Sequence, residues 1–239
     1  MRNRRIQAVG FDIGHTLVSY ASPLSWKTLF PDALRKVMSA CQIAENPGKL
    51  ASAAAILSKY NTRENCREHE VSSCVIFKEI FDTWGQNYEN LHIAKGAFYG
   101  FFQASAVCFD DTAGTLEALS RKGLRLGFLS DVAYGMDNEY SLSDIAEISH
   151  YFDAGFTSVD VGFRKPHPQG FRMLAEALGV PPSQILFVGD EEKDVVGANN
   201  FGMVSALVNK SSDERKWGQH YTVKTLGEIV SIIDAARSF

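Results

Sequence analysis

The chain has 239 residues, 45% of them hydrophobic and 22% charged, with a formal net charge of -4. That length fits one large domain or a core carrying a smaller insert, and the mixture is that of a globular chain, not a disordered or fibrous one. The slightly acidic balance excludes a general nucleic-acid binder, which carries a basic face. Arg2, Arg4 and Arg5 are the only basic cluster and read as a solvated end.

Residues 6–12 are a near-continuous apolar run, the pattern of a strand buried on both faces of a parallel sheet. The run ends in Asp12, with Gly14 and Thr16 close behind. An aspartate at the carboxyl end of such a strand stands where open α/β folds bind ligands. It can act as a nucleophile, a metal ligand or both, or simply cap the next helix. From residue 19 to 109 the period changes: 24–41, 50–60, 71–86 and 93–104 carry apolar residues three or four apart and read as helices, with no strand among them. Asn46-Pro47-Gly48 and Gln86-Asn87 are turns. The polar run 63–70 is either a solvated connection or a reader of a ligand's polar end. Aromatic residues such as Trp26, Trp84, Phe98, Tyr99 and Phe102 are expected mostly in this unit's core.

The strand–helix alternation resumes at Asp111. Helices are expected over 112–122, 137–149, 168–178, 191–201 and 226–236, and strands over 124–129, 154–157, 184–188 and 203–208. Gly123, Gly179 and Gly202 close three of these helices. The alternation predicts an α/β fold: a doubly wound, parallel, Rossmann-like core (1–18 and 110–239) with an all-helical cap inserted after the first strand (19–109). No apolar run approaches the roughly 18–20 residues that cross a membrane. Asp12 and Gly14 interrupt the first apolar run, so no signal-peptide core is expected. Cys41, Cys66, Cys74 and Cys108 form no C-x-x-C pair, and reduced thiols in a cytoplasmic protein are the expectation.

Polar residues of complementary kinds mark the strand ends: Asp12, Ser130 with Asp131, and Asp190, with Asp194 one helical turn further on. Lys165 adds a cation in the loop Gly162-Phe163-Arg164-Lys165-Pro166. Taken together, Phe-Asp-Ile-Gly-His-Thr-Leu (11–17), Gly-Phe-Leu-Ser (127–130), Arg-Lys-Pro-His-Pro (164–168) and Gly-Asp-Glu-Glu-Lys-Asp (189–194) resemble the four motifs of the haloacid dehalogenase-like superfamily of hydrolases. The resemblance implies a phosphatase in which Asp12 attacks in line and becomes an aspartyl-phosphate that water then hydrolyses. It implies Mg²⁺ held by the Asp12 carboxylate, the Gly14 carbonyl and Asp190, with Asp194 in support. Ser130 and Lys165 would bind the phosphoryl group, aided by Thr16 and Asp131. A small phosphorylated substrate is expected, with no nucleic acid or membrane partner, acting as a monomer or homodimer.

One position departs from the pattern. Phosphatases of this family place a second aspartate two residues after the nucleophile, as the leaving-group acid; here it is Gly14, and the following residue, usually glycine, is His15. A general acid contributes roughly 10²–10⁴-fold in rate. His15 and Asp131 are candidates to replace it. The alternatives are phosphonate hydrolysis, dehalogenase-like chemistry at carbon, or a metal- and phosphate-binding protein without catalysis.

Overall fold

The computed structural model describes residues 6–20 and 26–237; the arginines at 2, 4 and 5 and the expected helix start at 24 lie outside them. In chain order the elements are β1 (Ala8–Phe11), β2 (Val18–Tyr20), α1 (Phe30–Ala40), α2 (Pro47–Lys59), α3 (Ser73–Trp84), α4 (Leu91–Gln103), β3 (Ala106–Cys108), α5 (Thr112–Arg121) and β4 (Arg125–Ser130). Then follow α6 (Asn138–Ser141), β5 (Ala154–Thr157), α7 (Ser158–Val161), α8 (Pro168–Leu178), β6 (Ile185–Gly189), α9 (Glu192–Phe201), β7 (Val204–Val208), β8 (Tyr221–Val223) and α10 (Gly227–Arg237).

The chain divides into two compact units. The first comprises residues 1–19, 107–131 and 145–239. Its sheet has the order β5-β4-β1-β6-β7-β8, with every pair parallel. The connections run outward in opposite directions on the two sides of β1, so β1 is the switch point where such sheets bind ligands. Helices α8 and α9 pack on each other and against the strands on one face. There Phe171, Leu174, Leu178, Ile185 and Phe187 form a fully buried core. Gly10 and Gly127 let α8 approach: a Cβ on Gly127 would stand 2.8 Å from Leu174 Cδ1 and 2.9 Å from the Ala154 carbonyl.

The second unit comprises residues 20–106 and 132–144. Phe30, Phe77, Phe98, Tyr99 and Phe102 are buried in it, and Trp26 stacks on Phe102 at 3.8 Å between ring centroids. Tyr88, by contrast, is exposed. The polar run 63–70 joins α2 to α3 and is braced internally, Arg67 donating to the Tyr60 carbonyl at 2.7 Å and to Glu70 at 3.1 Å.

Several expectations need correction. Residues 132–144 group with the helices of the second unit, not with the α/β part. The physical reason is specific: Asp137 pairs with Lys95 at 2.5 Å and accepts from Ser73 Oγ at 2.8 Å, while Tyr99 donates its hydroxyl proton to the Tyr134 carbonyl at 2.8 Å. The helix expected over 137–149 is a single α-turn, α6, followed by 3₁₀ turns over Leu142–Tyr151. Two short strands, β2 and β3, bracket the insert where no strand was expected, pairing as a separate two-stranded sheet. Strand β8 was also not anticipated.

Candidate active site

Four strand ends and loops of the first unit converge. Asp12 follows β1, its own N–H bonded to the Val188 carbonyl of β6 at 2.9 Å, which ties the end of β1 to the strand that delivers Asp190. Ser130 ends β4 and is buried. Asp194 sits in the first turn of α9, where its Oδ2 accepts the Glu191 N–H at 3.0 Å as part of a capping box. One oxygen from each of Asp12, Asp190 and Asp194 lies within 4.8 Å of the others. Thr16, fully buried, donates to Asp190 Oδ1 at 3.2 Å and so links the first motif to the fourth.

Lys165 is the centre of charge. Its side chain is 1% exposed, and its Nζ lies 2.6 Å from Asp12 Oδ1 and 2.6 Å from Asp194 Oδ1 and donates to the Leu129 carbonyl at 3.1 Å. Burial by itself would push this ammonium down, but Asp12, Asp194 and Asp131 outweigh it and hold Lys165 above its ordinary value. The carboxylates remain crowded nonetheless. Burial, with Asp194 adding to it against the pull of Lys165, pushes Asp12 up to about 6. Burial, then Asp12, Asp194 and Glu191, push Asp190 up to about 8. Shared negative charge of this kind, on hard oxygen donors, is what a divalent cation relieves.

Asp131 takes a different place from the one expected of a phosphate contact or an acid. Its Oδ1 accepts the Lys165 N–H at 3.0 Å, and its Oδ2 lies 3.0 Å from Lys193 Nζ and 3.8 Å from Arg164. Lys193, Arg164 and Lys165 together overcome its burial and hold it below the ordinary carboxylate range. A carboxylate held ionised by three cations is a poor proton donor and would repel an incoming anion. It anchors the Lys165 loop instead. Lys193, which also pairs with Glu191 at 2.8 Å, was missed from sequence because a lysine within α9 reads as a solvated helix residue.

The turn at 14–16 explains the glycine usual at position 15. His15 has φ 57°, in the left-handed region, its N–H bonded to the Val18 carbonyl at 2.7 Å. Gly189 has a role of another kind, since a Cβ there would overlap Asp194 Cβ, Cγ and Oδ2. Gly189→Ala is expected to displace the Asp194 carboxylate from Lys165, lowering turnover by about 10²-fold, the usual cost of misplacing an active-site group by about 1 Å. Steady-state rates beside a melting curve test this; unchanged turnover would show that Asp194 needs no such clearance.

The family model of haloacid dehalogenase-like hydrolases matches residues 6–202. Among curated relatives, a glyceraldehyde 3-phosphate phosphatase of Methanothermobacter thermautotrophicus is 34% identical over 127 residues, 53% of this chain and 54% of that protein. A phosphoglycolate phosphatase of Escherichia coli K12 is 36% identical over 97 residues, 41% of this chain and 38% of that protein. The matched stretches thus span about half or less of these relatives' length. A phosphatase structure from Thermococcus onnurineus superposes with a TM-score of 0.64 at 25% identity, covering 95% of this chain and 98% of its own. A 2-haloacid dehalogenase from Pseudomonas syringae pv. tomato DC3000 shares the fold, with a TM-score of 0.72 at 20% identity and coverage of 96% and 99%. The match across 6–202, with its motifs gathered at the switch point of the sheet, makes this chain a member of the haloacid dehalogenase-like hydrolases.

Proposed function

We propose that the chain is a Mg²⁺-dependent phosphatase that hydrolyses a small phosphate ester through an aspartyl-phosphate on Asp12. The observation that carries this reading is Lys165, bridging Asp12 and Asp194 at 2.6 Å each beside Asp190. A dianionic ester approaching an aspartate meets repulsion unless cations stand by, and phosphoryl transfer depends mainly on positioning and electrostatics. In this mechanism Asp12 attacks phosphorus in line. Lys165 offsets charge on the nucleophile and on the transferring oxygens. Ser130, at the end of β4, donates to a phosphoryl oxygen. Thr16 orients Asp190, and Asp194 holds Lys165 and the start of α9. Asp12, Asp190 and the Gly14 carbonyl would hold the Mg²⁺, which when bound neutralises carboxylate charge and polarises the phosphoryl group.

Metal addition supplies one test. Asp190, and to a lesser degree Asp12, binds protons more tightly in the folded than in the unfolded chain, so the metal-free protein loses stability as pH rises from about 4 toward about 8. Mg²⁺ competes with those protons. Its stabilisation is therefore expected to grow across that window, reaching about 2.7 kcal/mol at a hundred times its dissociation constant. Thermal melts at pH 5 and pH 8, with and without Mg²⁺, read this directly. A Mg²⁺ effect that is absent at both pH values overturns the metal site. Phosphate release from a panel of monoesters tests the reaction itself; no release from any ester, aryl phosphates included, overturns the phosphatase reading in favour of carbon–phosphorus substrates or binding without catalysis.

A further inference from the structure

The phosphatase reading leaves one chemical role empty: position 14 has no side chain to protonate the leaving oxygen. Asp131 is held ionised by its three cations. Another group stands at the same turn. Lys210 follows β7, the neighbour of the strand that delivers Asp190. Its Nζ donates to the His15 carbonyl at 3.3 Å, one residue from the empty position, and lies 2.7 Å from the centroid of the Phe109 ring. The residue as a whole is exposed although its ammonium is partly covered by these contacts, and that ammonium is carried on a flexible four-carbon stem. No motif points to it, because it lies 195 residues from His15 in the chain.

We propose that Lys210 is the acid and base that Gly14 cannot be, delivering a proton to the leaving-group oxygen from the rim of the first-motif turn. This rests on the phosphatase reading above. In the first step an Asp12 oxygen forms a bond to phosphorus and the ester P–O bond breaks. Its electron pair stays on the leaving oxygen, which takes a proton from the Lys210 ammonium and departs as an alcohol. In the second step a water oxygen bonds to phosphorus and the bond from phosphorus to Asp12 breaks, its pair returning to the carboxylate. The proton the water loses restores the Lys210 ammonium. The local environment suits the task. Burial beside the aromatic ring lowers the Lys210 ammonium to about 8, against the opposing pull of Asp111 and Asp190, which places it in the range of working lysine acids.

The test uses the full chain with Mg²⁺ and a series of aryl phosphates of one shape but different leaving groups, from 4-nitrophenyl to phenyl phosphate. A nitrophenolate leaves without a proton, whereas a phenolate benefits from one. Lys210→Met is expected to leave kcat/KM, which reports the steps only through departure of the leaving group, within about threefold for 4-nitrophenyl phosphate while lowering it about 10²-fold for phenyl phosphate, the usual scale of general acid catalysis. A merely structural role would lower both alike. Lys210→Arg keeps the charge but gives up no proton near neutrality, so it is expected to behave like the methionine variant. Equal effects along the series, no effect at all, or full rescue by arginine each overturn proton delivery by Lys210 while leaving the phosphatase reading intact. Absence of turnover of every ester by the unaltered chain overturns both.

Discussion

Asp12→Asn is expected to reduce phosphate release by about 10⁴-fold or more, the scale on which enzymes lose turnover when the nucleophile itself is removed. The substitution keeps the shape of the side chain and leaves Lys165 its second partner, Asp194, at 2.6 Å. The fold is therefore expected to survive. Stability is expected to move in the opposite direction to activity. Burial raises the Asp12 pKa to about 6, so at pH 8 the folded chain carries the cost of a desolvated carboxylate that asparagine does not. Without metal, the variant should be more stable than the parent at pH 8 by on the order of 1–3 kcal/mol. The gain should shrink toward pH 4, where Asp12 takes up a proton in the unfolded chain too. Phosphate assays and denaturant melts at the two pH values measure both halves. Retained turnover would remove Asp12 from the chemistry.

Lys165→Met is expected to damage both. It leaves Asp12 and Asp194, both buried, without their shared cation, and removing one member of a buried pair costs about 3–5 kcal/mol. The loss should be greater at pH 8 than at pH 5. Without the ammonium the carboxylates hold protons to higher pH in the folded chain, so its stability falls more steeply as pH rises. Turnover should fall about 10³-fold, as when an electrostatic stabiliser is taken from a transition state. A variant that melts with the parent at pH 8 would show that the two carboxylates do not depend on Lys165. The two substitutions form a pair: one removes a buried negative charge and relaxes the cluster, the other removes the positive charge that the cluster is built on.

How much of this could be read in advance depended on whether the signal was local. Asp12, Ser130 and Asp190 each follow an apolar run that ends abruptly, and Lys165 sits in a loop punctuated by Gly162 and Pro166; that pattern makes them candidates, and the resemblance of the four motifs gives them their expected roles. The parallel core followed from the same pattern, because strands buried on both faces are apolar throughout. The carboxylate of Asp131 could not be placed in this way. Its partners Arg164 and Lys193 come from two other segments, 33 and 62 residues away in the chain, and only tertiary packing brings them together. The helix expected over 137–149 failed for a similar reason. Anchors on Asp137 and Tyr134, both from the second unit, override a periodicity that is helical on its own. Strands β2, β3 and β8, of three residues each, are too short to show an alternation.

The membership of residues 132–144 in the helical unit has a consequence for exchanging that unit between proteins. The chain passes from one unit to the other four times, at 19–20, 106–107, 131–132 and 144–145, not twice as a simple insertion would. A graft that carried only 20–106 would leave behind the buried Tyr134 and Met136, together with the carboxylate to which Lys95 and Ser73 are bound. Modules of this kind are therefore transferable only as two separate lengths of chain moved together, and the second length begins immediately after Ser130 and Asp131.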